Sequence, residues 1–382
     1  MGTERPQIIY ISYDGAAEPL GQSQVVAYLE RLAVDCDIHL ISFEKRGDAR
    51  EAVGARLAAG SVSWHPLTYH RRPPVASTAL DVLRGTRLIR QLAARIEGPL
   101  ILHARSYVPA LMALRARLGE RARFLFDIRG FWPDERVEGG MWRSHAAVYR
   151  LAKRYERLFF AEADAVVTLT RSSVDQIRAW MGSNDATIDV IPTGVDVDTY
   201  LGSRGGDRPA RVVWAGTVGG WYDFPTGVAL ARQIDLPLTV LTRQVDEARD
   251  ALDGMAAEVR SIPADRMPDA LAPGDIGLCM VRPSFSKLAS APTRVGEYLA
   301  AGMPIAVLAG VGDLDEMIAS EQVGVSLKGN DSGSIKAAAE ELRALSADPE
   351  TPLRCRELAR RRFALDQGVA SYLRLYRRLT TL

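Results

Sequence analysis

Residues 282–318 read RPSFSKLASAPTRVGEYLAAGMPIAVLAGVGDLDEMI, and the order of residue types in them decides the fold. An apolar run at 276–281 precedes them and reads as a buried strand. A loop of Ser, Ala and Pro follows, then a helical pattern over 294–301 that stops at Gly302. A second apolar run, 304–308, comes directly after. Strand, loop, helix, strand is the repeating unit of a parallel sheet. Open sheets of this kind bind ligands beyond the carboxyl ends of their strands. Glu297, a single acid early in the helix, stands at such an end.

The same unit recurs outward in both directions. Towards the amino end, strands are predicted at 8–12, 37–43, 61–64, 99–103, 123–128, 165–169 and 188–191. Helical patterns at 23–33, 49–59, 78–96, 107–118, 146–163 and 174–181 separate them, with Ser23 as an N-cap. Residues 127–142, DIRGFWPDERVEGGMW, read as a loop. Pro192 and Gly194 break the chain, and the polar stretch 202–209 reads as a linker. The pattern then restarts with strands at 211–215, 238–242, 258–262, 275–281, 304–308 and 324–327. The end, 368–382, is an amphipathic helix with Tyr372, Leu373, Leu375, Tyr376 and Leu379 on one side. A chain of 382 residues exceeds the usual single core. The expected architecture is α/β, with two doubly wound parallel sheets facing across a cleft.

Composition excludes several classes. The formal net charge of +1 gives no global reason to bind nucleic acid. Cys36, Cys279 and Cys355 are too far apart for a zinc pattern or a disulfide framework, so a reducing cytoplasm is expected. The polar start passes straight into a strand, so no signal peptide is expected, and no apolar run reaches membrane-span length. Charge is uneven, however. Residues 71–123 hold eleven arginines against Asp81, Glu97 and Glu120. Two readings stand: solvated helix faces, or a basic surface for anionic lipid head groups or an anionic acceptor.

No DxD at a strand end, HExxH, CxxC, Walker A or GxSxG is present. Asp313 and Asp315 read as acids that cap a helix. His103 ends a predicted core strand, where a lone histidine is more often structural than catalytic. The 127–142 segment sets Trp132 and Trp142 among Asp127, Arg129, Asp134, Glu135 and Arg136. Aromatic rings beside charges suit sugar faces; the alternative is a surface loop pinned by ion pairs. Glycine turns at 15–21 and 216–220, and the loop 290–294, offer backbone N–H groups to a diphosphate. Taken alone, 15–21 fits a merely tight strand–helix turn equally well. Arg243, Arg282, Lys287 and Arg294 can supply counter-charge. Group transfer from an activated donor is the chemistry left.

At this point the residues resemble a family. PTRVGEYLAAGMPIAV at 292–307 is similar to the signature of retaining GT-B glycosyltransferases of family 4. IPTGVDVDTY (191–200), DIRGFWPDE (127–135), SYDGAAEPLGQSQVVAYLERLA (12–33) and FALDQGVASYLRLYRRL (363–379) resemble other family segments in the same order. The resemblance implies two Rossmann-like domains: an acceptor-side domain at 1–198 that also takes the closing helix 366–382, and a nucleotide-sugar domain at 199–365. It implies sugar transfer from a nucleotide diphosphate sugar to a hydroxyl of a saccharide or lipid-linked acceptor, in polysaccharide, lipopolysaccharide or glycolipid synthesis. No metal or separate cofactor is implied, and the setting is the cytoplasm, at or near the inner membrane face.

By the same resemblance, Glu297 holds the donor ribose. Thr293 and Arg294 hold the diphosphate, Gly216 and Thr217 lie beside it, Lys287 adds charge, and Arg243 lies near the base. Gly15 and Gly21 belong to a loop that closes over the donor. Asp127, Arg129 and His103 shape the sugar and acceptor pocket. The chain departs from the pattern at Ala289, where a sugar-contacting glutamate is common, and in GTVGGWYDF (216–224), which lacks the usual lysine. The alternatives are a GT-B nucleotide-sugar 2-epimerase and a non-catalytic sugar-nucleotide-binding partner.

Overall fold

The computed structural model describes residues 5–45, 47, 49–200, 210–272 and 274–381. Its strands form two parallel sheets in two separate units. The first unit runs to Ile191 and takes the chain back from Gly368; the second is Pro192–Gln367. The polar stretch 202–209 lies outside the described residues.

Seven strands build the first sheet: β1 (Gln7–Ser12), β2 (Asp37–Glu44), β3 (Val62–Thr68), β4 (Leu100–Arg105), β5 (Ala122–Asp127), β6 (Ala165–Thr168) and β7 (Thr187–Val190). Their order is β3-β2-β1-β4-β5-β6-β7, with every pairing parallel. Helices cover both faces of such a sheet, which is why its central strands β1 and β4 are buried along nearly their whole length rather than on alternate residues. The chain moves outward from β1 to β3, then restarts on the other side of β1 at β4. That reversal leaves a crevice at the carboxyl ends of β1 and β4.

The second sheet repeats the plan with β8 (Val212–Ala215), β9 (Leu238–Leu241), β10 (Ala257–Arg260), β11 (Ile276–Cys279), β12 (Ile305–Leu308) and β13 (Gly324–Leu327). The order β10-β9-β8-β11-β12-β13 puts its reversal between β8 and β11. The Thr293–Ala300 helix is seated there by Tyr298, a fully buried ring. Its hydroxyl accepts the Ala215 N–H at 2.7 Å and lies 3.3 Å from the Leu278 carbonyl, to which it donates. Gly277 makes room for the ring, since a Cβ there would lie 2.5 Å from it.

Several expectations are corrected. The first helix begins at Pro19 rather than residue 23, with a π-turn at Gln22–Val26. Proline suits a first helical turn, where its missing N–H is no loss. Ser23 is therefore inside the helix, its hydroxyl donating to the Pro19 carbonyl at 3.1 Å. β3 runs on to Thr68 through Pro66, which is tolerated because β3 is an edge strand. The 127–142 segment is not all loop: Trp132–Glu138 is a helix. Val195, Val197 and Tyr200 pack in the second unit's core, so residues 192–198 go with that unit rather than with the first. The last helix is Leu365–Thr380, and Tyr372, Leu375, Tyr376 and Leu379 are buried along it.

One pair on the first sheet carries a pH signature. His39 Nδ1 on β2 and His65 Nε2 on β3 are 3.1 Å apart. Burial holds both imidazoles below their ordinary 6.5; His39 and Arg95 lower His65 further, while Asp37 pulls His39 back up. Fully buried His103 is lowered too, again chiefly by burial. These groups are depressed bases, so the unfolded chain binds more protons than the folded one below about 6.5. Their stability contribution is complete above that pH and is lost as pH falls towards the folded values. Urea midpoints are expected to drop on going from pH 7.5 to 5.5, and His65→Gln should flatten that slope.

Candidate active site

The segment after β8 turns on glycines. Gly216, Gly219 and Gly220 have φ of 145°, 85° and 60°, conformations that side chains rarely adopt. Gly216 N–H is used by the Leu241 carbonyl and Val218 N–H by Gln244 Oε1. The N–H groups of Thr217 and Gly219 meet no acceptor among the described residues. This loop is joined to the segment after β11. Tyr222 bridges Val281, Arg282 N donates to the Trp221 carbonyl at 2.8 Å, and the Arg282 guanidinium donates to the Gly220 carbonyl at 2.8 Å. Lys287, itself buried, places Nζ 3.9 Å from the centre of the Trp221 ring. Two cations thus border the glycine turn at the β8/β11 reversal.

The helix following β11 adds the acid. Glu297 contacts the Arg294 guanidinium, one helical turn back, and accepts a hydrogen bond from the Tyr200 hydroxyl. Burial raises its carboxyl above the ordinary 4.5, and Arg294 and Tyr200 oppose that rise. Burial also raises the Tyr200 hydroxyl, followed by the effect of the Glu297 charge. Arg294 is therefore engaged with Glu297, a different posture from the free phosphate ligand expected of it. Thr293 opens the same helix and is half-buried. Arg243 is exposed, just beyond β9 and one strand away. Ala289 is fully buried, so no polar group stands at that position. Gly216, Thr217, Lys287, Thr293, Arg294 and Glu297 all lie on segments leaving the adjacent strands β8 and β11.

In the first unit the expected roles change. The Glu44 carboxylate, nearly fully buried, accepts the N–H groups of Ala16 and Ala17 at 2.7 and 3.1 Å, and the Ser42 hydroxyl at 2.5 Å. These amides of the 15–21 turn already hold an anion from their own chain. Gly15 and Gly21 serve packing instead of a phosphate: a Cβ on Gly21 would sit 1.9 Å from the Gly15 carbonyl oxygen. Asp127, Arg129 and His103 do come together, but beneath the last helix. Tyr376 Oη lies 2.6 Å from His103 Nδ1, and Asp127 Oδ2 lies 3.4 Å from Nε2. Tyr372 donates to the same Asp127 oxygen at 3.0 Å. Burial opposes the Asp127 charge, but Arg129, His103 and Arg105 together hold the carboxyl below its ordinary value. His103 and Asp127 are 0% and 1% exposed, too enclosed to touch a substrate, so they anchor a helix.

The 127–142 charges are likewise structural. Asp134 is held by Tyr149 at 2.8 Å and by Lys153 at 2.8 Å, while Arg136 covers Trp132 at 5.1 Å. Two contributors escaped the sequence reading. Tyr200 closes the IPTGVDVDTY segment, but nothing local points it at Glu297. Arg105 joins the β1 and β4 ends through Asp14 at 2.7 Å and Gln24 at 2.8 Å. It lay beyond the expected end of β4 at residue 103.

Residues 21–199 match the model of Glycosyltransferase Family 4. That stretch, a little under half of the chain, is similar to the family, and the two parallel-sheet units follow the GT-B fold. Solved structures of the same architecture include a glycosyltransferase from Rickettsia africae ESF-5, with 12% identity, 99% of each chain covered and a TM-score of 0.74. Anabaena Alr3699/HepE, in complex with UDP and glucose, shares 14% identity over 99% of this chain and 100% of its own, with a TM-score of 0.67. A UDP-N-acetylglucosamine 2-epimerase structure from Listeria monocytogenes aligns at 13% identity, 97% and 96% coverage and a TM-score of 0.57. No curated protein matches the sequence.

The buried tyrosine contacts of the last helix are testable. Tyr372→Phe removes a hydrogen bond from a buried carboxylate and should cost about 1–3 kcal/mol in urea unfolding. Amide exchange should rise first in the Leu365–Thr380 helix; unchanged stability and exchange would refute the anchoring role.

Proposed function

We propose that this chain is a retaining transferase that moves a sugar from a nucleotide diphosphate sugar to a hydroxyl of a saccharide or lipid-linked acceptor. The observation that carries this reading is the β8/β11 reversal. There a glycine turn with open N–H groups, two cations and a buried carboxylate meet at strand ends. Amides and cations suit a diphosphate, and a carboxylate pair of acceptor oxygens suits the two hydroxyls of a ribose. Lys287 and Arg282 supply positive charge without a metal ion. In the step itself, the bond from the anomeric carbon to the diphosphate oxygen breaks and the bond to the acceptor oxygen forms on the same face. The acceptor proton passes to the departing phosphate, so no enzymic nucleophile is needed. UDP-glucose is the first donor to try, because HepE has been solved with it. Apolar Ala289 leaves the sugar less constrained than the nucleotide. An epimerase needs acid–base groups open to the sugar, and the burial of His103 and Asp127 weighs against it.

The setting proposed is the cytoplasmic membrane face. None of the described helices is long and apolar enough to cross a membrane. Two helices of the first unit expose apolar side chains among arginines: Leu80 and Leu83 with Arg84 and Arg87, and Leu151 and Leu158 with Arg150, Arg154 and Arg157. That mixture suits an anionic lipid surface.

Two outcomes are expected. UDP-glucose at 100 times its Kd should stabilise the wild type by about 2.7 kcal/mol in thermal unfolding. Glu297→Ala should lose most of that gain at the same ligand concentration; an equal gain in both proteins would remove the ribose assignment. Separately, the protein should sediment with phosphatidylglycerol vesicles and not with phosphatidylcholine alone. Arg150→Glu combined with Arg154→Glu should reduce that binding, and indifference to lipid charge would rule out the membrane setting.

A further inference from the structure

Asp81 is fully buried on the Pro74–Ala93 helix of the first unit and belongs to none of the groups above. Three donors converge on it. Oδ1 lies 2.5 Å from His70 Nδ1, while Oδ2 accepts the His70 backbone N–H at 3.1 Å and the Tyr13 hydroxyl at 3.0 Å. An ionised carboxylate only accepts, so the proton of a neutral His70 ring sits on Nδ1. Nε2 is then left with its lone pair. The His70 side chain is 33% exposed, and Nε2 has no hydrogen-bond partner among the described residues. The dyad was not legible in the sequence, where β3 was expected to end at residue 64, six residues short of His70.

Position gives the dyad its meaning. His70 lies just past the end of β3 and Tyr13 just past the end of β1, on the edge where parallel sheets take ligands. Two partly exposed rings stand beside them: Tyr13, packed on buried Phe43 at 5.0 Å, and Tyr69, 5.4 Å from Tyr13, with Lys45 Nζ 5.7 Å from the centre of the Tyr69 ring. Rings beside a hydroxyl-binding nitrogen form a saccharide-type surface. Pinning a loop does not require a carboxylate stripped of water, which is costly to bury. A carboxylate that accepts from Nδ1 holds one tautomer of a solvent-facing imidazole.

We propose that His70 is an acceptor-positioning residue, whose Nε2 accepts a hydrogen bond from a non-reacting hydroxyl of the acceptor saccharide while Asp81 fixes the tautomer. No proton is transferred, and the attacking hydroxyl is a different one. The assignment rests on the transferase reading, deepens it on the acceptor side, and is testable without knowing the natural acceptor. Diethyl pyrocarbonate modification, resolved by mass spectrometry, reads each histidine separately. His70 should react readily and buried His103 should not. Methyl glycosides of glucose, galactose, mannose and N-acetylglucosamine at high concentration serve as probes. At least one should slow His70 modification by about fivefold, the scale of one hydrogen bond, while exposed His145 is unaffected. Asp81→Asn should abolish the protection.

The protecting glycoside is then used as acceptor with UDP-glucose. His70→Asn keeps a donor towards Asp81 but loses the Nε2 acceptor; it should raise the glycoside KM about fivefold with kcat nearly unchanged. His70→Gln, which restores an acceptor near Nε2, should recover part of the loss. Stabilisation by UDP-glucose should be the same in all variants. No protection by any glycoside, or equal protection of His145, overturns the proposal. Protection of His70 with no stabilisation by UDP-glucose or any other nucleotide diphosphate sugar of a panel overturns the transferase reading and leaves a saccharide site standing.

Discussion

The Tyr298 hydroxyl is the contact on which the second unit's chemistry depends. One oxygen takes the N–H at the end of β8 and gives its proton to a carbonyl of β11. The chain leaves those two parallel strands towards opposite edges of the sheet, so their following segments have no shared turn to align them. The tyrosine supplies that alignment from the Thr293–Ala300 helix, which also carries Arg294 and Glu297. A helix displaced by one residue would move Glu297 round the axis by about 100°, since a turn takes 3.6 residues. The ring admits no such slip, because it fills the space that Gly277 leaves open.

Buried carboxylates recur through the molecule, and their partners separate structure from function. Glu44 is saturated by two backbone amides and a serine, which fixes the 15–21 turn. Asp127 is enclosed by His103, Tyr372 and Arg129, which fixes the last helix. In both cases the partners are largely enclosed. Glu297 and Asp81 differ because one partner of each reaches outward: Arg294 is partly exposed, and His70 shows its second nitrogen to solvent. A carboxylate whose satisfaction orients an exposed polar group is a better sign of a ligand site than burial or charge alone.

The doubly wound fold was legible in the sequence because parallel strands buried on both faces read as short, uninterrupted apolar runs. Most ends were placed within a few residues, and the errors have physical causes. Pro66 looked like a strand breaker, but an edge strand has no neighbour on one side to miss its N–H. The helix at Pro19 looked like loop because Gly21 is inside it, admitted by close packing on Gly15. The grouping of residues 216–217 and 287–297 at one reversal was legible because they follow their strands directly in the chain. The first-unit groups were not, since their roles depend on partners far away in sequence: Glu44 on Ala16, Asp127 on Tyr372, Asp81 on Tyr13. Local pattern carries no information about which carboxylate meets which amide.

That asymmetry bears on what each unit can discriminate. In the second unit the proposed donor contacts at the β8/β11 crevice involve phosphate oxygens and a ribose diol, the parts that nucleotide diphosphates share, and buried Ala289 offers no polar side chain. A hydrophobic position rejects an added hydroxyl only weakly, whereas a built polar site strongly rejects a ligand that leaves it unpaired. Discrimination among sugars therefore has to come from polar groups elsewhere. In the first unit, His103 and Asp127 are enclosed, at 0% and 1% exposed, and cannot provide it. His70 retains an unsatisfied acceptor at a strand end, so selectivity for the acceptor can be set there independently of how the nucleotide is held.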